Sequence, residues 1–195
     1  MGRKRTIDRA AVLDAAECVV QRDGTAKLTL EAVAAEAGIS KASVLYDYKT
    51  KPALMRAMVE RRIAAEELRM NEIRKNFGSD PNAMIRTHIV AAAEAAEGSE
   101  GEIELCLSSA LAQDRQLREP IHNKYAETVD EIHESASKPR GALLAFLALG
   151  GLRVMERFDV YHFSPEERIR VLEEINWLVD QEPEQVSVPK LDPVS

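Results

Sequence analysis

The sequence is poor in aromatic residues, glycine, proline and cysteine. Of its 195 residues only 5% are aromatic, nine are glycine, eight are proline and two are cysteine, while 45% are hydrophobic. This composition excludes collagen-like, disordered and disulfide-stapled chains, and it requires a hydrophobic core. Cys18 and Cys106 are far apart and stand among apolar residues. We therefore expect two buried thiols in a reducing compartment.

Long apolar segments are also missing. The apolar run at 142–149 is far shorter than the roughly 18 residues that a membrane-spanning helix needs. The basic start of the chain leads into Ile7 and Asp8 rather than into the apolar segment of a secretory signal. The sequence therefore predicts a cytoplasmic protein without a transmembrane helix.

The common motifs of catalysis do not occur either. The chain has no glycine-rich phosphate loop, no His-Glu-x-x-His, no Cys-x-x-Cys and no serine in a nucleophile elbow. We therefore expect no enzyme and no cofactor.

Negative charge dominates the chain but is unevenly distributed. The whole sequence has 26 basic and 33 acidic residues, a net charge of −7. Residues 1–51 carry nine basic and seven acidic residues, net +2, so the remainder carries 17 basic and 26 acidic residues, net −9. This asymmetry favours two functional halves, of which only the first suits contact with nucleic acid.

Apolar residues recur with a helical period of 3.6 along most of the chain, and no segment alternates with a period of two. The sequence therefore predicts an all-α protein with about nine helices. Serine and threonine caps, helix-starting prolines and helix-ending glycines mark the boundaries. The predicted helices span 8–22, 30–37, 41–48, 51–77, 80–97, 103–111, 116–135, 142–158 and 165–179, and a mobile tail follows at 182–195.

Residues 29–48 predict a helix-turn-helix. Ala34 is small enough for two helices to approach closely, and Gly38 suits the turn between them. The second helix then presents Lys41, Ser43 and Tyr46 outward near its N-terminus, the end that enters a DNA major groove. An ordinary corner in a helical bundle has similar spacing, so the spacing alone leaves both alternatives open.

The residues that follow favour DNA binding. The segment Ser-Lys-Ala-Ser-Val-Leu-Tyr-Asp-Tyr-Lys-Thr-Lys-Pro-Ala-Leu at 40–54 closely resembles the TetR/AcrR family of bacterial transcriptional regulators, and Ala42, Tyr46, Tyr48 and Lys51 match its small, aromatic and lysine positions. The resemblance covers about residues 8–54. A weaker likeness covers the chain's end, from 148–158 through Ser-Pro-Glu-Glu at 164–167.

Asp47 departs from this pattern, because a histidine is usual there. A carboxylate at this position would be repelled by the DNA backbone unless it read a cytosine amine or paired with a nearby lysine.

The resemblance implies a DNA-binding domain at 1–51, an effector-binding and dimerisation domain at 52–181, and the tail. Side-chain chemistry assigns DNA-contacting roles within the first domain: hydroxyls and cations reach phosphates or base edges, and a basic arm follows the backbone or the minor groove. The predicted DNA-binding residues are Arg3, Lys4, Arg5, Thr29, Lys41, Ser43, Tyr46, Tyr48 and Lys51.

The family's effector cavity and dimer interface would lie in the second domain. Adaptable apolar side chains with a few polar groups are the usual lining of a small-molecule site. The predicted ligand-binding residues are Met58, Phe77, Met84, His88, Cys106, Tyr125 and Met155. The residues predicted for a homodimer made by the last two helices are Leu149, Leu152, Phe158, Ile169, Leu172 and Ile175.

The sequence as a whole predicts a repressor that binds a palindromic operator as a homodimer and is released by a small-molecule effector. One alternative is a helical binding or scaffold protein whose helix-turn-helix no longer reads DNA, as Asp47 suggests. Another is a metal sensor through His122 and His133, which lie about three turns apart on one predicted helix.

Overall fold

A computed structural model describes residues 8–94 and 115–184. Within these ranges the chain is helical and has no strand, which confirms the all-α class. A 3₁₀ turn, Lys75–Phe77, continues the fourth helix, and the predicted helix at 103–111 lies outside the described residues. The eight α-helices are α1 (Arg9–Asp23), α2 (Leu30–Glu36), α3 (Lys41–Asp47), α4 (Lys51–Arg74), α5 (Ala83–Glu94), α6 (Arg115–Ser135), α7 (Pro139–Arg157) and α8 (Pro165–Leu178).

The predicted caps form at the starts of the helices. The side chains of Thr29, Ser40, Thr50 and Ser164 each accept a hydrogen bond from a backbone N–H in the first turn, and Glu167 completes a capping box with Ser164. These bonds satisfy donors that have no partner inside the helix.

Two helix starts differ from the prediction. The helix expected from residue 80 begins at Ala83, because the Asp80 carboxylate accepts a 2.8 Å hydrogen bond from the Asn82 N–H and holds a turn there. The helix expected from residue 142 begins earlier, at Pro139, since proline suits the first helical position.

The first hydrophobic core, here the N-terminal core, joins α1, α2, α3 and the first half of α4. Buried side chains from all four helices form it, among them Val12, Val33, Val44 and Met58, and Leu28 of the α1–α2 connection joins them. Because α4 contributes residues as far as Val59, this core extends past the predicted domain boundary at residue 51.

The C-terminal core joins α5, α6, α7 and α8. Ile85, Ile132, Leu149 and Ile175 are buried in it, and a polar network closes one end. Asn82 there binds Ser137 and Asp180, and Arg86 binds Asp80, Asn176 and Asp180. The network thus ties the start of α5 to the α6–α7 connection and to the end of α8.

α7 starts in close contact with the end of α8. A Cβ atom added at Gly141 would overlap the backbone carbonyl oxygens of Leu178 and Gln181. Glycine is therefore required at this position by space rather than by backbone conformation.

The exposure of one thiol differs from the prediction. Cys18 lies on the exposed side of α1, while its neighbours Val19 and Val20 take the buried positions. Cys106 lies outside the described residues. Within the described ranges, none of the helices is both long enough and apolar enough to cross a bilayer.

Candidate nucleic-acid interface and ligand cavity

The turn between α2 and α3 has the geometry of a helix-turn-helix. Gly38 adopts a positive φ of 63°, which glycine reaches without the penalty of a side chain. The next N–H, that of Ile39, returns to the Ala34 carbonyl at 3.0 Å. Val33 and Val44 are fully buried between the two helices, so the orientation of α3 is fixed by the N-terminal core.

α3 presents one exposed face. Tyr46 is 80% exposed on it, and the Lys41 ammonium forms an ion pair with Glu31 of α2 at the same surface. The Ser43 N–H donates a 3.1 Å hydrogen bond to the hydroxyl oxygen of the capping residue Ser40, and the two serine hydroxyls form a hydrogen bond of 2.8 Å. Lys41 and Tyr46 are thus displayed, whereas Ser43 and the cap Thr29 also stabilise helix starts.

Asp47 points away from this face. Its side chain is only 5% exposed and accepts a 2.8 Å hydrogen bond from Arg9 of α1. This hydrogen bond and the charge of Asp47 raise the pKa of Arg9. The carboxylate therefore joins α3 to α1, and the partner that neutralises it is an arginine 38 positions earlier rather than a nearby lysine.

Tyr48 and Lys51 have inward partners. Tyr48 packs in the N-terminal core, and burial raises the pKa of its hydroxyl. The Lys51 ammonium donates a 2.6 Å hydrogen bond to the Thr25 carbonyl, which fastens the start of α4 to the α1–α2 connection. The structure thus gives Tyr48 and Lys51 each a role inside the fold. The predicted arm residues Arg3, Lys4 and Arg5 lie outside the described residues.

A cavity of about 550 Å³ lies between α4, α5, α6 and α7. Its lining from α4 runs over four turns, from Val59 to Arg74, and the remainder comes from the other three helices. The lining residues are Val59, Arg62, Ile63, Glu66, Glu67, Met70, Asn71, Arg74, Met84, Thr87, His88, Ile121, Lys124, Tyr125, Thr128, Glu131, Phe146, Arg153 and Arg157.

The cavity contains only part of the predicted ligand-binding set. Met84, His88 and Tyr125 line it, whereas Met58 is fully buried in the N-terminal core. Phe77 and Met155 do not line it, and Cys106 lies outside the described residues. The charged lining of α4 could not be recognised from the sequence, because Arg62, Glu66 and Arg74 have the spacing of a solvated helix face.

Three rings form one wall of the cavity. The ring of Phe146 meets that of His88 edge to face, with centroids 5.4 Å apart, and that of Tyr125 at 5.8 Å. Burial, together with the charges of Arg153 and Lys124, lowers the pKa of His88 to about 4. His88 is therefore neutral near pH 7 and offers the cavity one hydrogen-bond donor and one acceptor.

Stability should fall in acid because of His88. Its pKa lies near 6.5 in the unfolded chain and near 4 in the folded one, so between these values only the unfolded chain takes up the proton. Unfolding measured in urea should show a loss that approaches about 3 kcal/mol by pH 4. His88→Gln should remove this part of the pH dependence, and His133→Gln, at an exposed position of α6, should keep it. Equal pH profiles for wild type and His88→Gln would contradict the assignment.

The residues predicted for the dimer fall into two groups. Leu149, Leu152, Leu172 and Ile175 are buried in the chain's own C-terminal core, so they present almost no surface to a second copy. Phe158 and Ile169 are exposed, as are four other large apolar side chains of α7 and α8: Leu144, Leu147, Val154 and Trp177.

A metal site finds no support in the described part of the chain. No group of three or more His, Cys, Asp or Glu side chains there is arranged to hold a metal ion, and His122 and His133 are both exposed on α6.

A helix-turn-helix on a helical domain with an internal cavity is the architecture of a ligand-responsive transcriptional regulator. Residues 12–58 match the family described as bacterial regulatory proteins, tetR family, and residues 82–180 match the tetracyclin repressor-like C-terminal domain. The second match covers half of the chain. The chain therefore belongs to the TetR family of DNA-binding transcriptional regulators.

Solved structures agree with this assignment. A TetR-family member from Streptomyces coelicolor is 25% identical, with 87% of this chain and 96% of that chain covered and a TM-score of 0.64. The multidrug binding protein EbrR, solved with malachite green, is 25% identical, with 90% and 98% covered and a TM-score of 0.62. A TetR regulator from Haloarcula marismortui, 17% identical over 88% and 95% with a TM-score of 0.63, shares the fold. No curated protein matches the sequence.

Proposed function

We propose that this regulator is a repressor, that it binds a palindromic operator as a homodimer, and that a small molecule bound in the cavity releases it. The observation that carries this proposal is the continuity of α4. Its first half, with Leu54 and Met58, is buried in the N-terminal core, and its second half, with Glu66 and Met70, lines the cavity. A ligand that moves α4 must therefore also move the helix-turn-helix.

The wall between the two parts supports the same coupling. Val59 belongs to the N-terminal core and also lines the cavity, and Ile63 and Ile121 pack against that core from the cavity side. A ligand that binds better to one arrangement of this wall would shift the population toward it, whereas equal affinity for both arrangements would shift nothing. EbrR holds malachite green within a fold of this kind, which supports a small-molecule effector.

A homodimer is supported by an apolar face on α7, formed by Leu144, Leu147, Gly151, Val154 and Phe158. All five residues are exposed, and they alternate in steps of three and four, the spacing of a helix-packing seam. A Cβ at Gly151 would meet nothing within 4 Å, so the chain's own packing does not require glycine there. A second copy that approaches closely explains both the exposure and the glycine.

DNA binding through α3 is tested by Tyr46→Ala. The wild-type dimer should shift DNA from upstream of its own gene at low salt, and the variant should lose at least about tenfold in affinity, since a phosphate or base contact is removed. Its melting temperature should stay close to that of the wild type, because Tyr46 is exposed.

Leu68→Ala is the matched control. Leu68 is exposed on α4 and does not line the cavity, so this truncation should leave the shift unchanged. If a folded wild-type dimer shifts no DNA even at low salt, the chain is instead a helical binding protein with a vestigial helix-turn-helix.

A further inference from the structure

The cavity differs in charge from the domain around it. Residues 52–195 carry a net charge of −9. Among the described residues that line the cavity, five are basic and three are acidic, a net charge of +2 with His88 neutral. The described lining of this cavity is therefore net positive, although the domain that contains it is acidic.

The three acidic lining residues are already engaged. Glu67 accepts a 2.7 Å hydrogen bond from the Lys124 ammonium, and Glu131 forms an ion pair with Arg74. Glu66 lies 3.6 Å from Arg69, which stands one turn further along α4. Because each carboxylate has a cation, none of them is left to attract a positively charged ligand.

Arg62 lacks such a partner. It lines the end of the cavity next to Ile63, and within the described part of the chain it makes no hydrogen bond or ion pair. A guanidinium in a partly enclosed space offers several N–H donors in a planar arrangement that matches a carboxylate.

Other lining residues supply apolar and aromatic surface. The ring of Phe146 contacts the rings of neutral His88 and of Tyr125, and Met84 also lines the cavity. The charges of Lys124 and Arg153 act on His88 and help keep it uncharged, which places positive potential at the rings as well. The α4 lining from Val59 to Arg74 spans about 22 Å, so the space is elongated.

We propose that the effector is an elongated aromatic organic anion, whose ring packs on Tyr125 and Phe146 and whose acid group binds Arg62. The inference rests on the proposed effector cavity and names the chemical class that this cavity selects. An acid group close to a guanidinium gains a charge-assisted hydrogen bond. An aromatic ring packed against the cavity's rings gains apolar contact, and no polar group is buried without a partner.

The test compares three probes of matched shape by calorimetry on the intact protein. Naphthaleneacetate carries the anionic head, naphthaleneacetamide is its neutral isostere, and naphthylethylammonium is the cationic counterpart. Naphthaleneacetate should bind at least about tenfold more tightly than the amide, and the cation should bind most weakly.

Variants locate the anionic preference. Arg62→Gln keeps the length and polarity of the side chain and should reduce the advantage of the anion over the amide to about threefold or less. Arg118→Gln, at an exposed position of α6 outside the cavity, is the control and should leave the ratio unchanged.

The outcomes separate two failures. Met70→Trp fills the cavity and should abolish binding of every probe. If the amide or the cation binds the wild type as tightly as the anion, or if Arg62→Gln leaves the ratio intact, the anionic class is wrong while the cavity stands. If Met70→Trp binds all probes like the wild type, the cavity itself is not the ligand site and the proposed effector mechanism fails with it.

Discussion

Leu147→Glu is expected to give a folded monomer that no longer binds the operator. Leu147 is 60% exposed on α7, so the fold of a single chain does not depend on it. Across a two-fold axis the substitution would bury two unpaired carboxylates, which is strongly unfavourable. A monomer has a single α3 helix to bind DNA, whereas in the dimer binding of one α3 brings the second close to its half-site. Operator affinity should therefore fall at least about a hundredfold in the monomer.

Light scattering after size exclusion measures the mass, and a gel shift measures the affinity. Leu68→Glu, which places the same charge at an exposed leucine of α4, should remain dimeric and bind the operator normally. A Leu147→Glu protein that stays dimeric at micromolar concentration would show that α7 does not form the interface.

Among glycine-to-alanine substitutions in the described part of the chain, Gly141→Ala should be the most destabilising. Its Cβ would overlap two backbone carbonyl oxygens at the end of α8, those of Leu178 and Gln181, and backbone cannot rotate away as a side chain can. We expect the free energy of unfolding to fall by about 2–3 kcal/mol, the size of an overpacked core, as measured by urea denaturation.

Gly150→Ala provides the control within the same helix. A Cβ there meets nothing within 4 Å, and alanine is favoured over glycine in a helix by about 0.8–1 kcal/mol, so this variant should be slightly more stable than the wild type. The two substitutions should therefore change stability in opposite directions. A Gly141→Ala protein as stable as the wild type would mean that the contact between α7 and α8 is looser than described.

Local signals predicted the helices because each boundary depends on a few neighbouring residues. Ser40 caps α3, Pro165 and Glu167 start α8, and Gly38 turns the chain, all through bonds that span fewer than five positions. The family resemblance added the DNA-binding role of the helix-turn-helix and the domain order. Asp47 shows where local reasoning ends, because its partner Arg9 lies on another helix.

The sequence could not separate the buried side of α7 from its exposed side for a related reason. α7 is apolar around most of its circumference, and the sequence does not show which side faces the chain's own core. Leu149 and Leu152 pack inward, while Leu147 and Val154, only a few residues away, face outward. The cavity's cations were missed since Arg62 and Lys124 face inward only once α4 and α6 are packed together.

The shared wall of Val59, Ile63 and Ile121 limits how this protein can acquire new ligand specificities. A substitution that enlarges the cavity at that end removes packing from the N-terminal core in the same step, so it weakens the helix-turn-helix while it changes the ligand. Substitutions at Met84 or Tyr125, which line the cavity without packing in that core, do not remove packing from it. We expect ligand specificity among close descendants of this chain to diversify at such positions, with the shared wall kept apolar and of constant volume.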